Sequence, residues 1–221
     1  MGSRINLSRP IAGSGNGSFD LVYQDESLIV VNKPTGLLAV PGRGADKQDC
    51  LSARIQKNFP DALIVHRLDM ATSGMIVFAR GMGMQSCLSR LFRERLVTKR
   101  YVALVAGKVE PTTGEVNLPL IGDWPNRPRQ KVDFKTGKPS LTRYQTLEYD
   151  TTNGISRVLL APLTGRTHQL RVHLAAIGHP IVGDALYGGH DAGRLMLHAC
   201  SLSLAHPLSN EMLDLSCESP F

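Results

Sequence analysis

The run His66-Arg67-Leu68-Asp69-Met70-Ala71-Thr72-Ser73-Gly74 leaves one strand-like segment and turns before the next, Met75 to Ala79. Catalytic side chains concentrate on such loops at strand ends. Arg67 stands two residues before Asp69, and a nearby cation typically lowers an aspartate pKa by ~1–3 units. An ionised carboxylate can act as a nucleophile. The same residues also suit a plainer role, in which Asp69 bonds its own turn backbone and Ser73-Gly74 are ordinary turn residues.

A second constellation, Leu163-Thr164-Gly165-Arg166-Thr167-His168-Gln169-Leu170-Arg171-Val172-His173, opens a helical stretch. His168 and Arg171 are three apart and share a helical face, where Arg171 can meet an acidic or phosphate group. His168, His173 and His179 lack H-x-x-x-H spacing and have no Asp or Glu between them, which fits hydrogen-bonded structural histidines better than metal ligands. The third piece, Thr98 to Gly107, places Tyr101 at the start of an apolar strand. A core-filling strand-end aromatic is the other reading of that tyrosine.

These groups must be carried by a scaffold, and short apolar or alternating runs predict one rich in strands. They fall at Leu21–Tyr23, Leu28–Asn32, Ile64–His66, Met75–Ala79, Tyr101–Gly107, Leu141–Tyr149, Ile155–Leu160 and Met196–Leu204. Helical spacing appears three times. Leu51, Ile55 and Phe59 follow Asp49 as a plausible N-cap, and Met84, Leu88, Leu91 and Phe92 make a longer stripe opposite Arg90, Arg93 and Glu94. The third helix spans about Thr167 to Ile177, with Gly178 as its stop. Strands follow strands more often than they alternate with helices, so an α+β fold with a mixed, largely antiparallel sheet and flanking helices is expected. Residues 1–18, with Gly13-Ser14-Gly15-Asn16-Gly17, read as a flexible tail ahead of one folded domain over residues 19–221.

Of 221 residues, 42% are hydrophobic and 20% charged, an ordinary globular balance that excludes disorder throughout. No uncharged apolar run reaches the ~20 residues that cross a bilayer, and no apolar signal segment opens the chain. A cytoplasmic protein without a membrane partner is expected. The start also misses the myristoylation pattern, with Asn6 where Ser or Thr is required. Four scattered cysteines, Cys50, Cys87, Cys200 and Cys217, form no C-x-x-C pair and read as reduced, mostly buried thiols.

The net charge of +6 is concentrated regionally. Arg80 to Arg100 carries +5 and Asp123 to Arg143 carries +4, so the remainder is acidic. Such windows suit a phosphate-tracking surface, although solvated faces of a basic protein look the same. Aromatic residues make up only 5%, too few for the broad stacking platforms of single-strand binders.

Taken together, the blocks resemble the RluA-type family of pseudouridine synthases. The matching pieces, in family order, are Asn32-Lys33-Pro34-Thr35-Gly36-Leu37, His66 to Gly74, Lys99-x-Tyr101-x-Ala103-x-Val105-x-Gly107, Gly165 to His173, Gly178 to Asp184 with Tyr187-Gly188, and Leu197-His198-Ala199. The block Asp123 to Lys131 looks like the branch that modifies both transfer and large-subunit ribosomal RNA. Many relatives carry an N-terminal S4-like RNA-binding domain. None is expected here, which leaves RNA contacts to the catalytic domain.

The resemblance implies isomerisation of uridine to pseudouridine in structured RNA, a tRNA anticodon stem-loop, a large-subunit rRNA hairpin or both, by a monomer. No cofactor or metal is implied. Asp69 maps onto the family nucleophile, Arg171 onto its basic partner, and Tyr101 onto the tyrosine that stacks on the base and can take a proton. A stacked base is unreachable, so the uridine must be extruded. His66 and Arg67 are expected to fill its vacated place, and Arg127, Arg129, Lys131, Arg166 and His168 to hold the RNA. A non-catalytic RNA-binding module needs the basic windows but not Asp69, Tyr101 and Arg171 together. A hydrolase would release shortened RNA or free uracil.

Overall fold

The computed structural model describes residues 19–221, so the expected tail lies outside the described residues. In chain order the first elements are β1 (Asp20–Gln24), β2 (Leu28–Lys33), α1 (Leu51–Gln56), β3 (Ala62–Ile64), β4 (Ser73–Arg80) and α2 (Gly81–Arg93). Then come β5 (Thr98–Ala106), β6 (Thr113–Asn117), β7 (Leu120–Gly122), β8 (Gln130–Val132), β9 (Leu141–Asp150) and β10 (Ile155–Pro162). The last are α3 (Gln169–Ala176), β11 (Leu197–Ala205) and β12 (Met212–Ser216). The described backbone falls into two compact units, the first built of residues 19–99 with Ala199–Pro220, the second of Arg100–His198 with Phe221. The boundaries between the units fall inside β5 and β11.

In the first unit, β2 pairs antiparallel with β1 and with β4, β3 pairs with β4, and β12 pairs with β11. Leu28 to Val31 and Ile76 to Ala79 are completely buried, which is why both strands read as unbroken apolar runs rather than alternating ones. Leu88 of α2 enters a core of Leu28, Val30, Met75, Val77, Ala79, Val97, Leu202, Leu204 and Leu215, with Met84, Leu91 and Phe92 packed around it. The predicted stripe is therefore the buried face of α2. Helix α1 differs from expectation. Cys50, in an extended conformation, is its N-cap, because the Asp49 carboxylate is drawn to Arg54 Nε and Nη2 at 2.8 and 2.6 Å. Phe59 lies beyond the end of the helix.

The second unit carries β5, β10, β9 and β6 in that order, all antiparallel, and a separate β7–β8 hairpin. The fold is thus α+β and largely antiparallel, as the sequence predicts. Of the four cysteines, Cys50 is buried and the other three are half-buried.

Candidate active site

Asp69 sits half-buried on the loop between β3 and β4. Leu68 before it is buried and anchors the loop. The backbone on its far side is latched by the segment that follows β2. Lys33 is 0% exposed, and its Nζ donates to the carbonyls of Pro34 and Leu37 at 2.8 Å each and of Met70 at 3.0 Å. An ammonium has three N–H donors, and these carbonyls can absorb them inside the protein. The Gly36 amide also donates to the Met70 carbonyl at 2.9 Å, and Thr35 Oγ1 to the Ala71 carbonyl at 2.7 Å. Thr72 N–H closes a turn on the Asp69 carbonyl at 3.1 Å. The nucleophile candidate therefore stands on a loop whose next two residues are tied to residues 33–37 by main-chain and side-chain bonds.

Gly74 has a more demanding role than an ordinary turn residue. Its φ is +112°, and a Cβ there would lie 2.4 Å from the backbone nitrogen and oxygen of Ala199. The close approach of β4 and β11 backbones needs glycine at this position.

His66 belongs to the framework. The expected strand over Ile64–His66 instead ends at Ile64, and His66 Nε2 accepts the Val77 amide at 3.0 Å, the ring taking over where the main chain leaves β4. Its ring stacks on Phe92 at 4.3 Å between centroids. Burial, with the charge of Lys99 as a smaller cause, pushes its pKa down to about 3. A neutral ring accepting at Nε2 carries its proton on Nδ1. Both the ring plane and Nε2 are thus engaged within the protein. Arg67, by contrast, is exposed beside Asp69.

The other candidates lie in the second unit. Tyr101 is half-buried on β5, opposite Leu160 of β10, and shares a strand face with the fully buried Ala103 and Val105. The helical relation expected between His168 and Arg171 takes another form. His168 precedes α3 as a left-handed N-cap with φ of 53°, outside the helix whose first residue is Gln169. The two side chains nevertheless converge, because both reach Tyr187. His168 Nδ1 is 2.8 Å from the Tyr187 hydroxyl, and the Arg171 guanidinium lies 5.2 Å from the centre of its ring.

Arg171 is held by a partner that its own segment does not reveal. Its Nε and Nη2 donate to the two carboxylate oxygens of Asp184 at 2.8 and 2.6 Å, with side chains only 6% and 0% exposed. The amides of Leu186 and Tyr187 donate to the same carboxylate at 3.0 and 3.3 Å. These bonds compensate the cost of burying the pair, which would otherwise exceed the Coulombic gain. The preceding Gly183, at φ of +78°, has no room for a Cβ, which would fall 1.7 Å from the Arg194 carbonyl oxygen.

His168, His173 and His179 have separate hydrogen-bonding roles. His173 bridges Thr142 Oγ1 and the Leu118 carbonyl at 3.0 Å each, and burial lowers its pKa. His179 Nδ1 donates to the Ala106 carbonyl at 2.9 Å. Arg166 Nε donates to the Pro139 carbonyl at 3.3 Å.

Arg127, Arg129 and Lys131 are exposed on the β7–β8 hairpin. Tyr187 ties that hairpin to the α3 cluster, since its hydroxyl accepts the Gln130 amide at 2.8 Å and its ring faces the Arg129 guanidinium at 5.6 Å. In the sequence Tyr187 and Asp184 stand only as parts of family blocks, and no spacing rule links either to His168 or Arg171.

Comparison with known proteins agrees with this picture. The family profile described as RNA pseudouridylate synthase matches residues 27–176. The chain is 50% identical over 205 residues to the dual-specificity RNA pseudouridine synthase RluA of Escherichia coli K12, covering 91% of this chain and 93% of that one. To the RluA of Vibrio cholerae it is 51% identical over 195 residues, covering 86% and 79%. Among solved structures, human RNA pseudouridylate synthase domain containing 1 superposes with a TM-score of 0.78 at 33% identity, covering 92% of this chain and 84% of that one. The chain belongs to the RNA pseudouridylate synthase family, enzymes that isomerise uridine to pseudouridine within RNA.

Proposed function

We propose that this enzyme acts on uridines in tRNA anticodon stem-loops, in large-subunit rRNA hairpins, or in both, as a monomer in the cytoplasm. Support for the two RNA classes comes from the 50% identity to a protein named as dual-specific. In the isomerisation, the bond from N1 to C1′ breaks, the uracil turns, and C5 bonds to C1′. The proton on C5 is lost and N1 gains one, so neither redox chemistry nor an energy source is needed. Asp69 supplies the carboxylate, either attacking C1′ or the base, or removing a sugar proton to give a glycal.

Arg171 provides the cation for the carboxylate chemistry, and the Asp184 fork on its Nε and Nη2 sets its orientation. Tyr101 stacks on the extruded uracil and assists proton removal from C5. Arg67, exposed on the Asp69 loop, fills the place of the extruded base. Arg127, Arg129, Lys131, Arg166 and His168 bind the RNA backbone. The observation that carries the proposal is the half-buried Asp69 beside a loop backbone latched by the buried Lys33, a fixed mount of the kind that positioning a reacting carboxylate requires.

The test uses an anticodon stem-loop hairpin and an rRNA hairpin labelled with tritium at uridine C5. Tritium release, with the RNA chain intact and no free uracil, is expected from at least one of them. RNA cleavage or uracil release would replace this reading with a hydrolase.

A further inference from the structure

Two large aromatic side chains are fully displayed to solvent around the β7–β8 hairpin, Trp124 at 75% exposure and Phe134 at 77%. A globular protein gains by covering such rings, and a tryptophan displayed on an ordered loop beside a guanidinium is suited to stacking on a planar ligand. The loop that presents Trp124 is well braced. The Asp123 amide donates to the Arg129 carbonyl at 2.9 Å, and Asn126 and Arg129 amides close successive turns at 3.0 Å each. Its root is fixed by the bond from the Gln130 amide to the Tyr187 hydroxyl.

The electrostatics select the occupant. Arg127, Arg129, Lys131, Lys135 and Lys138 are all exposed in the same stretch of chain. The two acids of the segment are turned to local work. Asp123 accepts from Asn126 Nδ2 at 2.9 Å, and Asp133 accepts the Lys135 and Thr136 amides at 2.9 and 2.8 Å. From Asp123 to Lys138 the segment thus carries five exposed basic side chains against two acids engaged in local hydrogen bonds, an excess of positive charge suited to phosphates. The Arg127 guanidinium already lies over one face of the Trp124 ring.

We infer that Trp124 is a stacking site for one unpaired base of the substrate RNA, taken on the ring face opposite Arg127, which makes it a specificity-determining residue separate from the extruded uridine's pocket. The inference rests on the reading that the substrate is RNA. Its ligand is a base in a loop, because bases inside an A-form stem offer no free face. Low aromatic content rules out a platform, but one stacked base needs only one ring, with Arg127 polarising it from behind.

Trp124 is the chain's single tryptophan, so its fluorescence reports on this site alone. The wild-type chain is titrated with an anticodon stem-loop hairpin and with a blunt RNA duplex of similar length, while filter binding measures affinity in parallel. The hairpin is expected to quench the emission with the same midpoint as binding, and the duplex to bind with little quenching. Trp124→Phe keeps hairpin affinity within about two-fold, whereas Trp124→Leu weakens it about ten-fold and leaves duplex binding unchanged. A hairpin that binds and is modified while the emission stays constant, or a Trp124→Leu protein that binds it as wild type does, overturns this inference and leaves the proposed function standing. Failure of the wild-type protein to bind either RNA overturns both.

Discussion

The Asp69 loop and the β7–β8 hairpin show two opposite ways of presenting functional groups. Residues 70 and 71 are held through their carbonyls by Lys33, Gly36 and Thr35, at 2.7 to 3.0 Å. The hairpin is fixed mainly at its root, through Gln130 and Tyr187, while Arg127, Arg129, Lys131 and Trp124 extend into solvent. A reacting group must be within a fraction of an ångström of its position, so a latched loop suits the role proposed for Asp69. The phosphate and base contacts proposed for the hairpin would act through charge and displayed area, so side-chain freedom costs such groups less.

The comparison predicts graded effects. Asp184→Asn leaves the buried guanidinium of Arg171 without its countercharge and should cost about 4 kcal/mol of stability. Turnover should fall with it, because the orientation of Arg171 is lost. Urea unfolding and single-turnover rates measure both, and wild-type values would show that the fork does not hold Arg171. Lys33→Met removes the donor from three inward carbonyls and should cost about 3 kcal/mol, while slowing turnover much more than it weakens RNA binding. Equal losses in affinity and rate would show that the latch shapes the RNA surface rather than the reacting loop.

The smallest effect on the chemical step belongs to the hairpin. Replacing Arg127, Arg129 and Lys131 together by glutamine should lower the slope of log affinity against log salt by about 2 to 3, at roughly 0.7–0.9 per phosphate contact. Single-turnover rates at saturating RNA should stay near wild type. A slope identical to wild type would mean that these side chains form only a solvated face.

How much of this is legible in the sequence depends on what each residue bonds to. Asp69, Tyr101 and Arg171 stand in recognisable blocks, and the α2 stripe gives its helix because periodicity directly encodes a buried face. The role of Lys33 is invisible in the same way of reading, since its partners are carbonyls and every residue has one. Asp184 lies 13 residues from Arg171, outside any helical spacing rule. Strands β6, β7, β8 and β12 escape prediction because they have three to five residues and few buried positions, too little for an alternating pattern to emerge. His168 misleads for another reason. Its left-handed backbone puts it outside the helix, and only tertiary contact with Tyr187 restores its nearness to Arg171.

The central claim is that the Asp69 carboxylate carries the reaction on a loop whose geometry is independent of it. The most direct measurement is the single-turnover rate of Asp69→Asn on saturating hairpin RNA, with its affinity and urea midpoint measured alongside. No pseudouridine should form, while affinity stays within about two-fold and stability within about 0.5 kcal/mol of wild type, since the substitution keeps the side chain's size. Appreciable turnover by the folded, RNA-bound Asp69→Asn protein would contradict the account.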